Sequence, residues 1–219
     1  MITEQIEKTM EALRKNNMDA YYVQTAAEAK TLVLSLIPKG AVCASGGSVT
    51  LVKTGILDAL KSEDYHYIDR GAAGLSAEEK EAAMVRSMTA DCYLVSSNAI
   101  TEDGTLYNVD GNSNRVSAML YGPKSVIVVA GVNKLVKNLD EAVRRVKTIA
   151  APKNCKRLGC GTYCFRMGKC VSLESGADNA DITDGCMSDA RICCNYVVMA
   201  HQRQKSRIKV IIVGEELGY

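Results

Sequence analysis

Tryptophan is absent from this 219-residue chain, phenylalanine occurs once and proline three times. Large aromatic rings therefore cannot dominate the core, which has to be assembled from Val, Ile, Leu, Ala and Met. Apolar residues make up 47% of the chain, enough to fill one core. Neither charge sign prevails: 27 Lys and Arg stand against 25 Asp and Glu. A dedicated nucleic-acid surface would show a basic face. The one dense basic run, His201 to Lys209, reads instead as a solvated linker into a final strand. No apolar run approaches the roughly 20 residues of a membrane-spanning helix. The N-terminus, MITEQIEKTMEALRKN, is amphipathic and charged and lacks the apolar centre of a secretory signal. A cytoplasmic protein without nucleic-acid or membrane partners is expected. Histidine occurs only at His66 and His201, which form no recognisable triad with a thiol.

Cysteine departs from this sparseness. Seven of the nine cysteines fall between Cys155 and Cys194, in a stretch poor in large apolar residues. Cys43 and Cys92 lie singly in apolar runs and read as small buried hydrophobes. In a reducing cytosol a thiol cluster points to metal or redox chemistry before structural disulfides. Free reduced thiols, or disulfides formed after purification, are the other readings.

The remainder alternates between strand and helix. Ile2, Ile6, Met10 and Leu13 make one apolar stripe on a first helix. Asp19 to Gln24 reads as a strand. Thr25 with Glu28 forms a capping box for the next helix, and Pro38 to Gly40 breaks it. Strands follow at Ala41 to Ala44, Tyr65 to Asp69 and Asp91 to Ser96. A helix runs from Leu51 to Leu60, and another is capped by Ser76 with Glu79. Asp103-Gly104 between β-prone runs marks a hairpin across Ala99 to Val109. Asn112 to Leu120 is helical, and SVIVVA at Ser125 to Ala130 suits a central parallel strand. A helix at Leu139 to Ile149 precedes the thiol-rich segment, and Ile208 to Val213 closes the pattern as a strand. The expected fold is α/β, an open, mostly parallel sheet with helices on both faces. One domain, residues 1–219, carries a Cys-rich insert at 152–200.

Ligand sites in such sheets lie at the carboxyl ends of strands, where the polar, glycine-rich segments of this chain fall. Ser45-Gly46-Gly47-Ser48 joins a strand to a helix, as a backbone cradle for an anion or simply as a tight turn. It is neither a dinucleotide fingerprint nor a P-loop. Asn98, Asp110, Gly111, Asn114 and Arg115 belong to a second polar segment, and Asn133 and Lys134 to a third. Arg115 is the expected anion holder. Glu102 and Asp103 are candidate catalytic carboxylates; the alternative is that the Asp and Asn residues here build turns.

GGSVTL, SSNAITEDGTLYNVDGNSNRV, YGPKSVIVVAGVNKLV and the ending RIKVIIVGEELGY together resemble the LUD domain, the family of lactate-utilisation proteins that includes LutB- and LutC-like components. The resemblance covers most of the chain. It implies a fold like the NagB/RpiA/CoA-transferase superfamily. It also implies an accessory or redox role in L-lactate or related 2-hydroxy acid utilisation, as a subunit of an iron–sulfur lactate-oxidising system. LutB-like members carry repeated Cys-x-x-Cys, which this chain lacks.

Thr162-Tyr163-Cys164, Cys170, Cys186 and Arg191-Ile192-Cys193 are similar to the Cys-rich tail of short family members. The resemblance thus implies Cys164, Cys170, Cys186 and Cys193 as metal ligands. An iron–sulfur cluster is the expected cofactor, with zinc as the alternative. Two other readings stay open: a CoA-transferase-like or sugar-phosphate-type enzyme, and a non-catalytic metal- or redox-responsive ligand sensor. The expected partners are a small anionic ligand, other lactate-utilisation subunits, and further copies of the chain in a homo-oligomer.

Overall fold

The computed structural model describes residues 2–62, 64–174 and 181–219. The chain begins with α1 (Glu4–Lys15), β1 (Asp19–Val23), α2 (Ala26–Ser35), β2 (Val42–Ser45), α3 (Val49–Lys53), α4 (Ile56–Leu60), β3 (His66–Ile68), α5 (Ala77–Arg86) and β4 (Cys92–Val95). The hairpin β5 (Ala99–Thr101) and β6 (Leu106–Asp110) follows, then α6 (Asn114–Leu120), β7 (Ser125–Gly131), β8 (Leu135–Val136) and α7 (Leu139–Arg145). The last elements are α8 (Ala151–Leu158), α9 (Tyr163–Met167), β9 (Asn195–Met199) and β10 (Ile208–Val213). No helix among the described residues is long and apolar enough to cross a membrane.

Six strands pair in the order β1-β10-β7-β4-β2-β3, and every pairing is parallel. Strand alternation sorts the side chains into two layers. Val126, Val128 and Ala130 of β7 face α1 and α6, together with Val210 and Ile212 of β10. Ile127, Val129 and Ile211 face the opposite way, with Ala29 and Val33 of α2 and Leu51, Ile56 and Leu60 of α3 and α4. Helices thus cover both faces, as an all-parallel sheet requires.

The expected caps are present. Thr25 accepts from Glu28 N while Glu28 reaches back to the Thr25 N–H. Ser76 and Glu79 do the same for α5.

A second sheet, β8-β5-β6-β9, stands beside the first. It contains two strands that the periodicity missed. β8 has two residues. β9 lies within the thiol-rich segment and pairs antiparallel with β6 over Asn195 to Met199. That segment is consequently no free-standing insert. The helix through α7 runs through a π-turn at Val146–Ala150 directly into α8, and Cys193 and Tyr196 pack on a cluster with Tyr107, Val146 and Ala150. Its residues 175–180 lie outside the described residues.

The basic run is likewise only partly solvated. Arg207 is buried and donates to the carbonyls of Met119, Pro123 and Ala118, closing the C-terminal end of α6.

Chain order fixes where a cleft opens. From β2 the chain passes outward to β3 through α3 and α4, whereas from β4 it passes through the small sheet and α6 to β7. β2 and β4 are neighbours whose connections leave in opposite directions, the arrangement that leaves a crevice at their carboxyl ends.

Candidate functional site

A cleft of about 320 Å³ occupies this position. Gly47, Ser48, Thr50, Ser96, Ser97, Asn98, Asp110, Gly111, Asn114, Arg115 and Lys134 line it. The three strand-end segments singled out in the sequence therefore meet in one place. Arg70 after β3, Asn154 and Arg157 on α8, and Tyr219 also border it. Arg70 follows the strand-end rule as Gly46 does, so that rule could have found it.

Arg115 organises one wall. Its Nε donates to Asp110 Oδ2 at 2.9 Å. One terminal nitrogen donates to Asn108 Oδ1 and the Ser96 carbonyl, the other to the Val109 carbonyl and Asn98 Oδ1, at 2.8–3.3 Å. A guanidinium has five N–H groups, and each is taken by the protein. Arg115 was expected to hold the ligand; it instead fixes Asp110, Asn98 and the two strand ends relative to one another. The interlock continues through Asn108, which donates to Ser97 Oγ at 3.1 Å, and Asn98, which accepts from Val109 N at 2.9 Å.

Lys134 forms part of the floor and is only 3% exposed. Its Nζ donates to Thr50 Oγ1 at 3.0 Å and Ser96 Oγ at 2.9 Å, two hydroxyls and, among the described residues, no carboxylate. Burial first, then the positive charges of Arg145 and Arg115, pull its pKa down to about 7.

The remaining candidates take other positions. Ser45 Oγ bonds Tyr67 Oη at 2.7 Å, behind the cleft. Ser48 caps α3 by accepting from Leu51 N. Asn114 directs its amide to the Met84 sulfur. Asn133 accepts from Leu217 N and donates to the Gly218 carbonyl, so it anchors the C-terminal segment instead of forming the rim.

Glu102 and Asp103 do not border the cleft. Glu102 pairs with Lys8 of α1 at 2.7 Å and accepts from Gln5. Asp103 accepts from Thr101 Oγ1 and from Thr105 N within the hairpin turn. The hairpin leans on α1: a methyl at Gly104 would stand 2.6 Å from the Ala12 carbonyl carbon.

A family model described as LUD domain matches residues 6–213. The chain belongs to the LUD domain family. The family is associated with lactate utilisation. A crystal structure of a DUF162 family protein from Deinococcus radiodurans is similar at 14% identity and TM-score 0.52, covering 98% of this chain and 100% of that one. That likeness shows the fold. A structure of eIF2B beta from Chaetomium thermophilum covers 52% of this chain and 43% of its own at 16% identity, with a TM-score of 0.36. No curated protein matches.

Behind the cleft wall of this LUD domain lies a smaller cavity of about 30 Å³. Cys164, Cys170, Cys186 and Cys193 all line it, and so does Cys155, which the family tail did not select. Cys155 and Cys164 bring their sulfurs to 3.6 Å. Burial pushes the Cys155 and Cys193 thiols up to about 12. Lys147 crosses beside the cavity, donating to Ser172 Oγ and to the carbonyls of Asp181 and Asp184. Among the described residues no three His, Cys, Asp or Glu side chains are grouped closely enough to hold a metal ion as they stand.

Cys160 and Cys194 lie outside this lining. Cys193, Arg191 and Ile192 border both spaces, so one short stretch of chain separates the thiols from the cleft. Cys43 and Cys92 sit opposite each other in β2 and β4, buried in the main sheet.

Proposed function

We propose that this LUD domain binds a small carboxylate of the 2-hydroxy or 2-oxo acid type in the sheet-end cleft, as a component of lactate utilisation. The observation that carries the reading is Lys134. A buried ammonium is normally paired with a carboxylate, and this one has hydroxyl partners and arginine neighbours. An anion supplied by a ligand would complete it. The lining agrees: among the described side chains that border the cleft, Arg70, Arg115, Lys134, Arg157 and Arg191 are basic and Asp110, which Arg115 already neutralises, is acidic. Calorimetric titration with L-lactate, pyruvate and the uncharged lactamide tests this. Binding of the two acids but not the amide is expected. A Lys134→Met variant should lose roughly 1.5–3 kcal/mol, the range for a hydrogen bond to a charged group. Equal binding of amide and acid, or no binding of either acid, overturns it.

The convergence of five cysteines on one cavity supports a second, separate reading, a metal centre. The donor set suits a soft-ligand metal, with Cys164, Cys170, Cys186 and Cys193 as its holders and Cys155 as a competing thiolate. The cavity has room for about one or two water molecules, which favours a single ion over a cluster. Metal would have to displace protons from thiols that burial keeps protonated. When bound, it would tie α9 and the segment after it to the start of β9 or pass electrons beside the cleft. Metal analysis and an absorption spectrum of anaerobically purified protein distinguish zinc, iron and free thiols. A CoA-transferase-like reaction through Glu102 or Asp103 lacks support, because both carboxylates are engaged at the hairpin away from the cleft.

A further inference from the structure

We infer that Lys134 Nζ is a nucleophile that condenses reversibly with the keto group of a small 2-oxo acid held in the cleft, forming an imine. The inference rests on the cleft reading and deepens it, since it assigns a covalent step to a residue that simple anion binding needs only as a charge.

Three features of the site carry it. First, Lys134 is enclosed, yet it borders a cleft large enough for a small acid. Its two hydrogen bonds leave one position on nitrogen uncommitted among the described residues. Second, its surroundings oppose the ammonium form. No carboxylate among the described residues bonds it, and the guanidinium groups of Arg115 on α6 and Arg145 on α7 add positive potential. A lysine so placed carries a lone pair near neutral pH, the condition for attack on a carbonyl. Third, the partners suit proton transfer. Thr50 Oγ1 already donates to the Leu217 carbonyl at 3.1 Å. Ser96 Oγ accepts from Lys134 and retains its own hydrogen for a substrate oxygen. Arg70 lies where it can hold the carboxylate: its guanidinium comes within 3.0 Å of a methyl built at Gly47.

The step is balanced without any redox partner. The nitrogen lone pair forms a C–N bond to the keto carbon, and the C=O π pair moves to oxygen. One amine proton reaches that oxygen by way of Ser96, giving a carbinolamine. The C–O bond then breaks as the C=N bond forms, and the hydroxyl leaves with the second amine proton as water. A 2-hydroxy acid has no carbonyl and can bind but not condense, so the site would tell L-lactate from pyruvate by chemistry as well as by fit.

The test is reductive trapping. The full-length protein is incubated with pyruvate and cyanoborohydride at neutral pH and then analysed by intact mass and peptide mapping. Expected is an addition equal to pyruvic acid less one oxygen atom, located on Lys134 with about tenfold or greater preference over any other lysine. Ser96→Ala should slow the trapping, and L-lactate should compete with it. The mapping is done on the wild-type chain, so it does not depend on the folding of a variant. A Lys134→Met protein, checked by circular dichroism, should lose the adduct. Label spread evenly over surface lysines, or no adduct at Lys134, overturns the inference. If pyruvate and lactate still bind by calorimetry in that case, the cleft reading stands and only the imine falls. If neither binds, the cleft reading falls as well.

Discussion

The backbone of Gly46 lies against the stem of Arg115: a methyl built on Gly46 would stand 2.9 Å from Arg115 Cγ and 3.1 Å from both Arg115 Cδ and Tyr93 Oη. Gly46 N also donates to the Leu94 carbonyl, tying the end of β2 to β4. The glycine is thus required for close approach, and the residue it admits is the one that locks the cleft wall. Gly46→Ala should destabilise the protein by about 1–3 kcal/mol, the cost of overpacking, because Arg115 cannot swing away without breaking bonds on both terminal nitrogens. Urea unfolding of the variant measures this.

Arg115 itself should matter more to the fold than to the ligand. Its ion pair with Asp110 is mostly enclosed, with side-chain exposures of 12% and 11%. Arg115→Ala leaves Asp110 without its counter-charge and Asn108 Oδ1 with only the Asn98 N–H as a donor. A loss of about 3–5 kcal/mol is expected, the range for breaking a buried pair. Arg115→Lys should recover only part of it, since one ammonium cannot span acceptors in the β4–β5 loop and on β6. Were Arg115→Ala to weaken pyruvate binding while leaving the unfolding midpoint unchanged, Arg115 would be a direct ligand holder after all.

Much of this was legible locally. The Thr25–Glu28 and Ser76–Glu79 boxes and the Asp103-Gly104 turn were readable because each is closed within a few residues of chain. The strand ends that form the cleft were readable because parallel sheets place sites there. What could not be read depends on distant partners. β9 has no strong apolar alternation and is a strand because β6 offers an edge. Arg207 looks like a linker residue until the carbonyls that end α6 and those following it are seen to receive it. Arg115 and Lys134 carry the same charge in sequence. Only the fold gives one a full set of acceptors and the other two hydroxyls.

Lys134 gives a pH signature. Its folded pKa, near 7, lies below the ordinary lysine value of 10.5. Below about pH 7 the buried amine is protonated in both states, and the cost of enclosing its charge beside Arg115 and Arg145 falls fully on the folded protein. Between the two values the unfolded chain binds the extra proton, so stability rises with pH through that window. Lys134→Met lacks this rise. The difference in unfolding midpoint between wild type and variant should therefore shift in favour of wild type from pH 7 to pH 10. A difference that stays flat would mean that Lys134 is charged in the folded protein throughout.

Glu102 should prove structural. Its bond to Lys8 lies at the surface, where solvent screens ion pairs and they contribute little to stability. Glu102→Gln should barely move the unfolding midpoint and leave pyruvate and lactate titrations unchanged. A large loss of binding would instead place the hairpin in the ligand site.

The thiols divide into three groups with different expected behaviour. Cys194 is exposed and should react first with a thiol reagent under native conditions. Cys43 and Cys92 face each other inside the sheet, and the Cys43 thiol is pushed up by its bond to Cys92 and by burial. They should react only on unfolding. The third group is the cavity set. If metal occupies it, Cys164, Cys170, Cys186 and Cys193 should be protected from the reagent until a chelator is added, with metal–sulfur distances of about 2.3 Å for zinc. Ser at any one of the four should lower the bound metal, while Cys160→Ser and Cys194→Ser leave it unchanged. Cys155→Ser decides the remaining ambiguity. Its sulfur is 3.6 Å from Cys164, so loss of metal in this variant would place it among the ligands in place of one of the four. Retention would make it a buried neighbour whose thiol burial keeps protonated. Protein purified without oxygen that holds neither zinc nor iron, and whose cavity thiols react without chelator, would leave the cluster as free thiols beside a cleft that works without them.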